Sequence, residues 1–147
     1  MLVSKNNLLT VYFLLNSIFL IAQNIDINNI EIARDSFGIP HIYAKTDMEL
    51  AYGLAWAHAE DDFKTIQEAY LAGNSLLSKH VGLRGAPIDF LSQLIRPDDT
   101  IDSLYKTIDR KFLKVINAYA DGLNSFANKY PDQVLVKKLF PITPRKM

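Results

Sequence analysis

The 147-residue sequence contains no cysteine, which rules out disulfide bonds and thiolate metal sites. That absence does not assign a compartment, because exported proteins large enough to bury a core often need no disulfide. Neither charge is in excess: 16 basic side chains face 16 acidic ones, so the total supplies no electrostatic attraction to nucleic acid or to an anionic membrane surface. Beyond Asn24 there is no repeat, low-complexity linker or long charge block, so this stretch reads as one continuous module. No glycine-rich phosphate cradle follows a strand pattern, and Gly73-Asn74-Ser75 lacks the strand-turn-helix context of a nucleophile elbow.

The one long apolar run lies at the start. Lys5 precedes Leu8 to Ala22, and the chain then turns polar at Gln23-Asn24. This is the pattern of a secretory signal peptide over residues 1–22, followed by the mature segment 23–147. The run is about 15 residues, or ~22 Å of helix, against a hydrocarbon core of ~30 Å, which favours a cleaved signal over a membrane anchor.

Ile30 and Ile32, then Ile39, His41 and Tyr43, alternate on either side of Asp35-Ser36-Phe37-Gly38. Two short strands near residues 30–44 are expected, with Gly38 free to take positive φ and Pro40 at the start of the second strand. Thr46 and Glu49 form a capping-box signature, and Asp47 adds negative charge to the first turn of a helix that follows. That helix is apolar on most faces, which calls for cover on two sides, and Gly73-Asn74 marks its stop. Gly82, Gly85 and Pro87 break Ser75–Arg96 into short pieces. From Asp98-Asp99-Thr100 onward, Ile101, Leu104, Tyr105, Ile108, Phe112, Ile116, Tyr119, Leu123 and Phe126 recur, mostly at three- and four-residue steps. This spacing predicts one long amphipathic helix ending near Tyr130-Pro131. Gln133 to Phe140 is apolar enough to be covered, and Pro141 and Pro144 forbid a regular helix beyond.

The three histidines, His41, His58 and His80, are not spaced to share a metal on one helix face. His58 shares a face with Asp62, yet residue-type statistics favour a polar edge on a buried helix over a catalytic pair. His41 reads as a hydrogen-bonded structural residue. Arg34 and Asp35 could bind an anion, but adjacent strand residues face opposite sides, which favours a paired surface arginine and a turn-forming aspartate. Spacing alone therefore assigns no catalytic residue, no substrate-binding residue and no metal ligand.

Four blocks carry a resemblance. Arg34-Asp35 through Gly38-Ile39-Pro40-His41-Ile42, Tyr52-Gly53 through His58-Ala59-Glu60-Asp61-Asp62, Val115 through Phe126 with its Tyr119-Ala120-Asp121-Gly122-Leu123-Asn124 run, and Leu139 through Pro144 occur in order. Together they resemble the amino-terminal part of the α chain of the penicillin acylase family. Asp61-Asp62 with Phe63 is more similar to the acyl-homoserine-lactone and aculeacin acylase branch than to the penicillin G branch.

The resemblance implies an α+β class: the front of the αββα fold of N-terminal-nucleophile hydrolases, mostly helical here. It also implies a hydrolase of linear amides, such as a β-lactam or N-acyl-homoserine lactone side chain, linked to antibiotic metabolism. Such an enzyme is made as an exported zymogen for the periplasm or cell exterior, and its serine nucleophile becomes the first residue of the β chain. On this reading that serine is absent from the chain, which is a fragment inactive alone. Its partners are the rest of α and the β chain of the same precursor, plus a small acylated amide as substrate, with no nucleic acid and no stable membrane partner. No cofactor is implied in this segment, although in some members a later part of α supplies a calcium ligand. The competing reading is a non-catalytic exported helical module derived from the same fold.

Export should remove the first 22 residues. Mass spectrometry of the exported product reads this directly, and an intact Met1 in the membrane fraction would replace the signal with an anchor.

Overall fold

The computed structural model describes residues 25–147, so the expected signal segment 1–22 lies outside the described residues. Two strands, β1 (Glu31–Arg34) and β2 (Pro40–Tyr43), pair antiparallel with Ile32 opposite Ile42 and Arg34 opposite Pro40. The turn between them is built on Asp35. Its carboxylate accepts the Phe37 and Ile39 amides at 2.9 and 3.0 Å, and Gly38 sits at φ +81° as the turn requires. The alternation has the opposite phase in β2 from the expected one: Ile42 joins Ile30 against the next helix, while Ile39, His41 and Tyr43 face outward. The turn decides that phase, because register places Ile42 beside Ile32.

Helix α1 (Asp47–Gly73) begins as the capping box predicts. The Glu49 amide donates to Thr46 Oγ1 at 3.2 Å, and the Thr46 hydroxyl donates to the Glu49 carboxylate at 3.0 Å. α1 is kinked at Asp62, whose backbone is extended and whose carboxylate accepts the Thr65 amide at 3.0 Å. An N-cap placed inside a helix restarts it in a new direction. The helix ends in a Schellman turn: Ser75 takes φ +56°, its amide donates to the Ala72 carbonyl, and the Leu76 amide donates to Leu71.

After α1 come α2 (Ser78–Val81), α3 (Ala86–Ile95), α4 (Pro97–Leu104) and α5 (Arg110–Lys129). Pro87 does not break the chain; it lies in the first turn of α3, where a missing N–H costs nothing. The single long helix expected from Ile101 to Tyr130 is two helices. Ile108 is extended, and the Asp109 carboxylate caps the new start by accepting the Lys111 and Phe112 amides at 2.8 and 3.2 Å. The early part of the apolar stripe is correspondingly docked only in part, with Ile101, Tyr105 and Ile108 half-buried. α4 buries no residue, and Phe112 stays 57% exposed.

The core lies where α5 crosses α1. Ala55, Ala59, Phe63, Leu123, Phe126, Ala127 and Ile142 form it, with Phe126 edge-on to Phe63 and Trp56 at centroid distances of 5.0 and 5.3 Å. Each large side chain buried here contributes roughly 1.5–3 kcal/mol. The crossing is close enough that a Cβ on Gly122 would stand 2.6 Å from the Tyr52 carbonyl oxygen. On another side of α1, a Cβ on Gly53 would meet Ile30 and Ile42 at 2.8 and 2.9 Å. The two-sided cover predicted for this helix is thus supplied by α5 and by the strand pair, although Leu50 and Leu54 remain partly exposed.

Buried amides hold the non-helical end. Gln67 donates to the Gln133 carbonyl and accepts the Leu135 amide, while Asn124 donates to the Ile142 carbonyl and accepts its amide at 2.7 Å. The segment expected to be covered, Gln133 to Phe140, is covered only in part: Val134, Leu135, Val136, Leu139 and Phe140 are half-buried, Gln133, Lys137 and Lys138 are exposed, and Ile142 beyond it is buried.

Two outcomes follow from this packing. Gly122→Ala should destabilise the chain by ~1–3 kcal/mol through overpacking. Gly73→Ala, with nothing within 4 Å of the new methyl, should be neutral or stabilising by up to ~1 kcal/mol. Urea unfolding of both variants measures the contrast. The second outcome concerns Asp89, whose carboxylate accepts the Ser78 hydroxyl and the Leu77 and Ser78 amides, holding it below the usual carboxylate range. A depressed folded-state value means that its contribution is complete above the unfolded pKa of ~3.9 and is lost as pH falls through the folded one. Protection of the Leu77 and Ser78 amides from hydrogen exchange, taken relative to the intrinsic rate at each pH, should fall as pH drops below ~4 in the parent, and Asp89→Asn should remove that acid-dependent loss.

Candidate functional site

Of the polar side chains singled out in the sequence, Arg34, Glu60 and Asp61 meet where the strand pair packs on α1. Arg34, the last residue of β1, reaches Asp61 at 2.7 Å and Glu60 at 3.4 Å, and also donates to the Gly38 carbonyl at 2.8 Å. The other oxygen of Glu60 accepts the Trp56 indole N–H at 2.9 Å. From α5, the Lys129 ammonium lies 5.0 Å from the Trp56 ring centroid. A chain of charges and rings therefore runs from the turn across α1 to α5. Arg34 is the paired arginine expected, and it is occupied twice over. Asp35 is the turn-former expected: the Ile39 amide foremost, with Phe37 and His41, holds its carboxyl below the usual range.

The three histidines are kept apart. His41 Nε2 lies 3.4 Å from Asp35, His58 Nδ1 lies 3.0 Å from the Tyr119 hydroxyl, and His80 Nε2 lies 3.4 Å from Glu68. His58 has no carboxylate partner here because Glu60 and Asp61 go to Arg34 and Asp62 is drawn into its cap, where Thr65 holds it below the usual range. Burial raises the Tyr119 phenol, so it stays protonated beside His58. Among the described residues no group of three or more His, Asp or Glu side chains converges as a metal site.

One hydroxyl-carboxylate pair escaped the sequence reading: Ser78 with Asp89. No imidazole or amine base stands against Ser78, and Asp89 spends its acceptor capacity on three donors of the α1–α2 connection and α2. The amide clamps made by buried Gln67 and by half-buried Asn74 and Asn124 were also missed, and each holds backbone: Gln67 the Gln133 carbonyl, Asn74 the Lys146 carbonyl and Asn124 the Ile142 carbonyl.

Two apolar grooves flank this framework. One of about 290 Å³ is lined by Ile30, Ile32, Tyr52, Trp56 and Lys129. The other, about 650 Å³, lies between the end of α5 and the following segment, lined by Asn124, Asn128, Val134, Phe140 and Pro141 with Lys137 and Lys138 at its rim. Neither presents a nucleophile paired with a base among its lining residues.

A family profile described as penicillin amidase matches residues 29–146. Penicillin G acylase of Escherichia coli is 26% identical over 124 residues, covering 81% of this chain and 15% of that protein. The acyl-homoserine lactone acylase QuiP of Pseudomonas fluorescens is 24% identical over 106 residues, covering 72% of this chain and 13% of its own length. Among solved structures, a thermostable penicillin G acylase from Alcaligenes faecalis superposes with a TM-score of 0.67 at 21% identity, over 80% of this chain and 67% of that one. The expected fold is thereby met: a mostly helical α+β piece, with its two-stranded antiparallel sheet, of the N-terminal-nucleophile hydrolase fold. With the match spanning the strand pair, α1, α5 and the segment after it, the chain belongs to the penicillin amidase family.

Proposed function

We propose that this chain is the amino-terminal part of an exported amide hydrolase that removes an acyl group from a linear amide, such as a β-lactam or N-acyl-homoserine lactone side chain. The observation that carries this reading is the family match over residues 29–146. The chain spans 13–15% of the length of the relatives named above, so most of such an enzyme lies outside it. In the proposed reaction a serine outside this chain, first in its own polypeptide after processing, attacks the amide carbonyl. Its α-amino group takes the hydroxyl proton and returns it to the leaving amine, and water then frees the acid from the acyl-enzyme. A free α-amine titrates near ~8, so it serves as base at neutral pH without a histidine. This agrees with the dispersed histidines of the described residues.

The contribution assigned to this chain is a rigid support. Its carboxylates and amides are spent on caps, turns and backbone clamps, which fixes the α1–α5 crossing and the two grooves beside it. Export is supported by Lys5 and the apolar run that follows it. Among the described residues no helix is long and apolar enough to cross a membrane. A calcium ion, if the complete enzyme holds one, is assigned to residues outside this chain.

The test is hydrolysis of phenylacetyl amides, penicillin G and long-chain acyl-homoserine lactones, assayed on the 147-residue chain and on the whole gene product from its source cell. The chain alone should release no acid, and the whole product should release acid from at least one class. Turnover by the chain in an acylase-deficient host would place the nucleophile within it. No turnover by the whole product would favour a non-catalytic exported module.

A further inference from the structure

Helix α3 is inside out. Its one buried residue is a carboxylate, Asp89, and Ser92, neighbouring it on the helix surface, donates to the Gly73 carbonyl, so polar groups fasten this helix to the body. The opposite side carries Ile88, Phe90, Leu91, Leu94 and Ile95. Phe90 is 67% exposed, and Leu94 and Ile95 are each 66% exposed. At 3.6 residues per turn these five side chains span roughly 160° of the circumference, centred opposite Asp89. A helix of a free-standing domain buries its apolar stripe and shows its polar one. Here the polar contacts hold the apolar stripe outward, and a contiguous patch of this kind marks a protein interface.

We propose that the outward face of α3, centred on Leu91 and Leu94, seats a segment of the same gene product that lies beyond residue 147. This inference rests on the functional reading above and names one surface through which the rest of the enzyme is held. Length favours that occupant over a second copy. The relatives are several times longer than this chain, which covers 13–15% of them, so most of the protein available to cover the patch is encoded outside it. Few charges mark the arc itself, which suits a permanent apolar contact within one protein rather than a transient one.

A photo-crosslinking residue at position 94 of the whole gene product tests the assignment. The parent side chain is already mostly exposed, so the substitution should leave the fold intact. Position 64 serves as control, where Lys64 lies on a charged surface and pairs with Glu68. The expected result is a crosslink from position 94 to a peptide encoded downstream of residue 147, and none from position 64. A crosslink to a second copy of residues 25–147, a crosslink to an unrelated protein, or no crosslink at all would each overturn the proposal. Amide hydrolysis by the same preparation reads the functional assignment separately: activity without the crosslink overturns only the seat, and a crosslink without activity overturns only the assignment. As a second measurement on the whole gene product, Leu94→Asp should lower recovery of the downstream piece together with this chain several-fold, while Lys64→Asp should leave it unchanged; equal recovery from both variants would overturn the proposal.

Discussion

Everything else in this molecule depends on how closely α5 approaches the backbone of α1. At Gly122 the gap is too small for a methyl group, since the Tyr52 carbonyl and the Ala55 side chain fill the space a Cβ would need. That contact explains why α1 is built from small residues before its kink. Ala51, Gly53, Ala55, Ala57 and Ala59 are all buried, and their spacing by two distributes them around the helix rather than along one stripe. Small side chains on several faces let backbone come near from several directions, so the strand pair can lie at Gly53 while α5, through Gly122, lies at Tyr52 and Ala55. Past Asp62 the buried positions enlarge to Phe63, Gln67 and Leu71, and the aromatic cluster of Phe63, Phe126 and Phe140 fills the wider space there.

Local signals in the sequence were the legible ones. The Asp35–Gly38 turn, the Thr46–Glu49 box and the stop at Gly73-Asn74 each depend on groups a few residues apart, and each stands where its chemistry put it. What failed to show depends on partners far along the chain or on polar residues with two readings. Asp109 sits within an unbroken three-four periodicity, and nothing in that pattern distinguishes a solvated aspartate from one that caps a new helix. Pro87 reads equally as a breaker or as a first-turn residue. The Gln67 and Asn124 clamps follow from tertiary packing that periodicity does not encode.

The candidate site was legible in a different sense. Reading the side chains one at a time pointed to structural roles for Arg34, Asp35 and the histidines, and the structure gives each of them such a role. Ordered blocks of sequence, rather than any reactive cluster, carried the family relationship. These two results agree physically. Among the described residues no buried side-chain nitrogen or oxygen lacks a hydrogen-bond partner. The carboxylates of Glu49, Glu60, Asp61, Asp62 and Asp89 are engaged by caps, a side-chain amide, an arginine or backbone amides.

The balance between polar and apolar groups then sets the direction of assembly. Polar interactions in the chain close upon themselves, while Phe90, Leu94, Ile95, Phe112 and the two grooves leave apolar surface open. Hydrogen bonds and ion pairs are directional and short-ranged, so satisfying them internally fixes shape without requiring a partner. Apolar surface is indifferent to direction and gains ~25 cal/mol for each Å² removed from water, so it draws stability from whatever fits that shape. On the proposed reading, affinity for the rest of the enzyme comes from apolar area and specificity from the fixed positions of α1, α3 and α5.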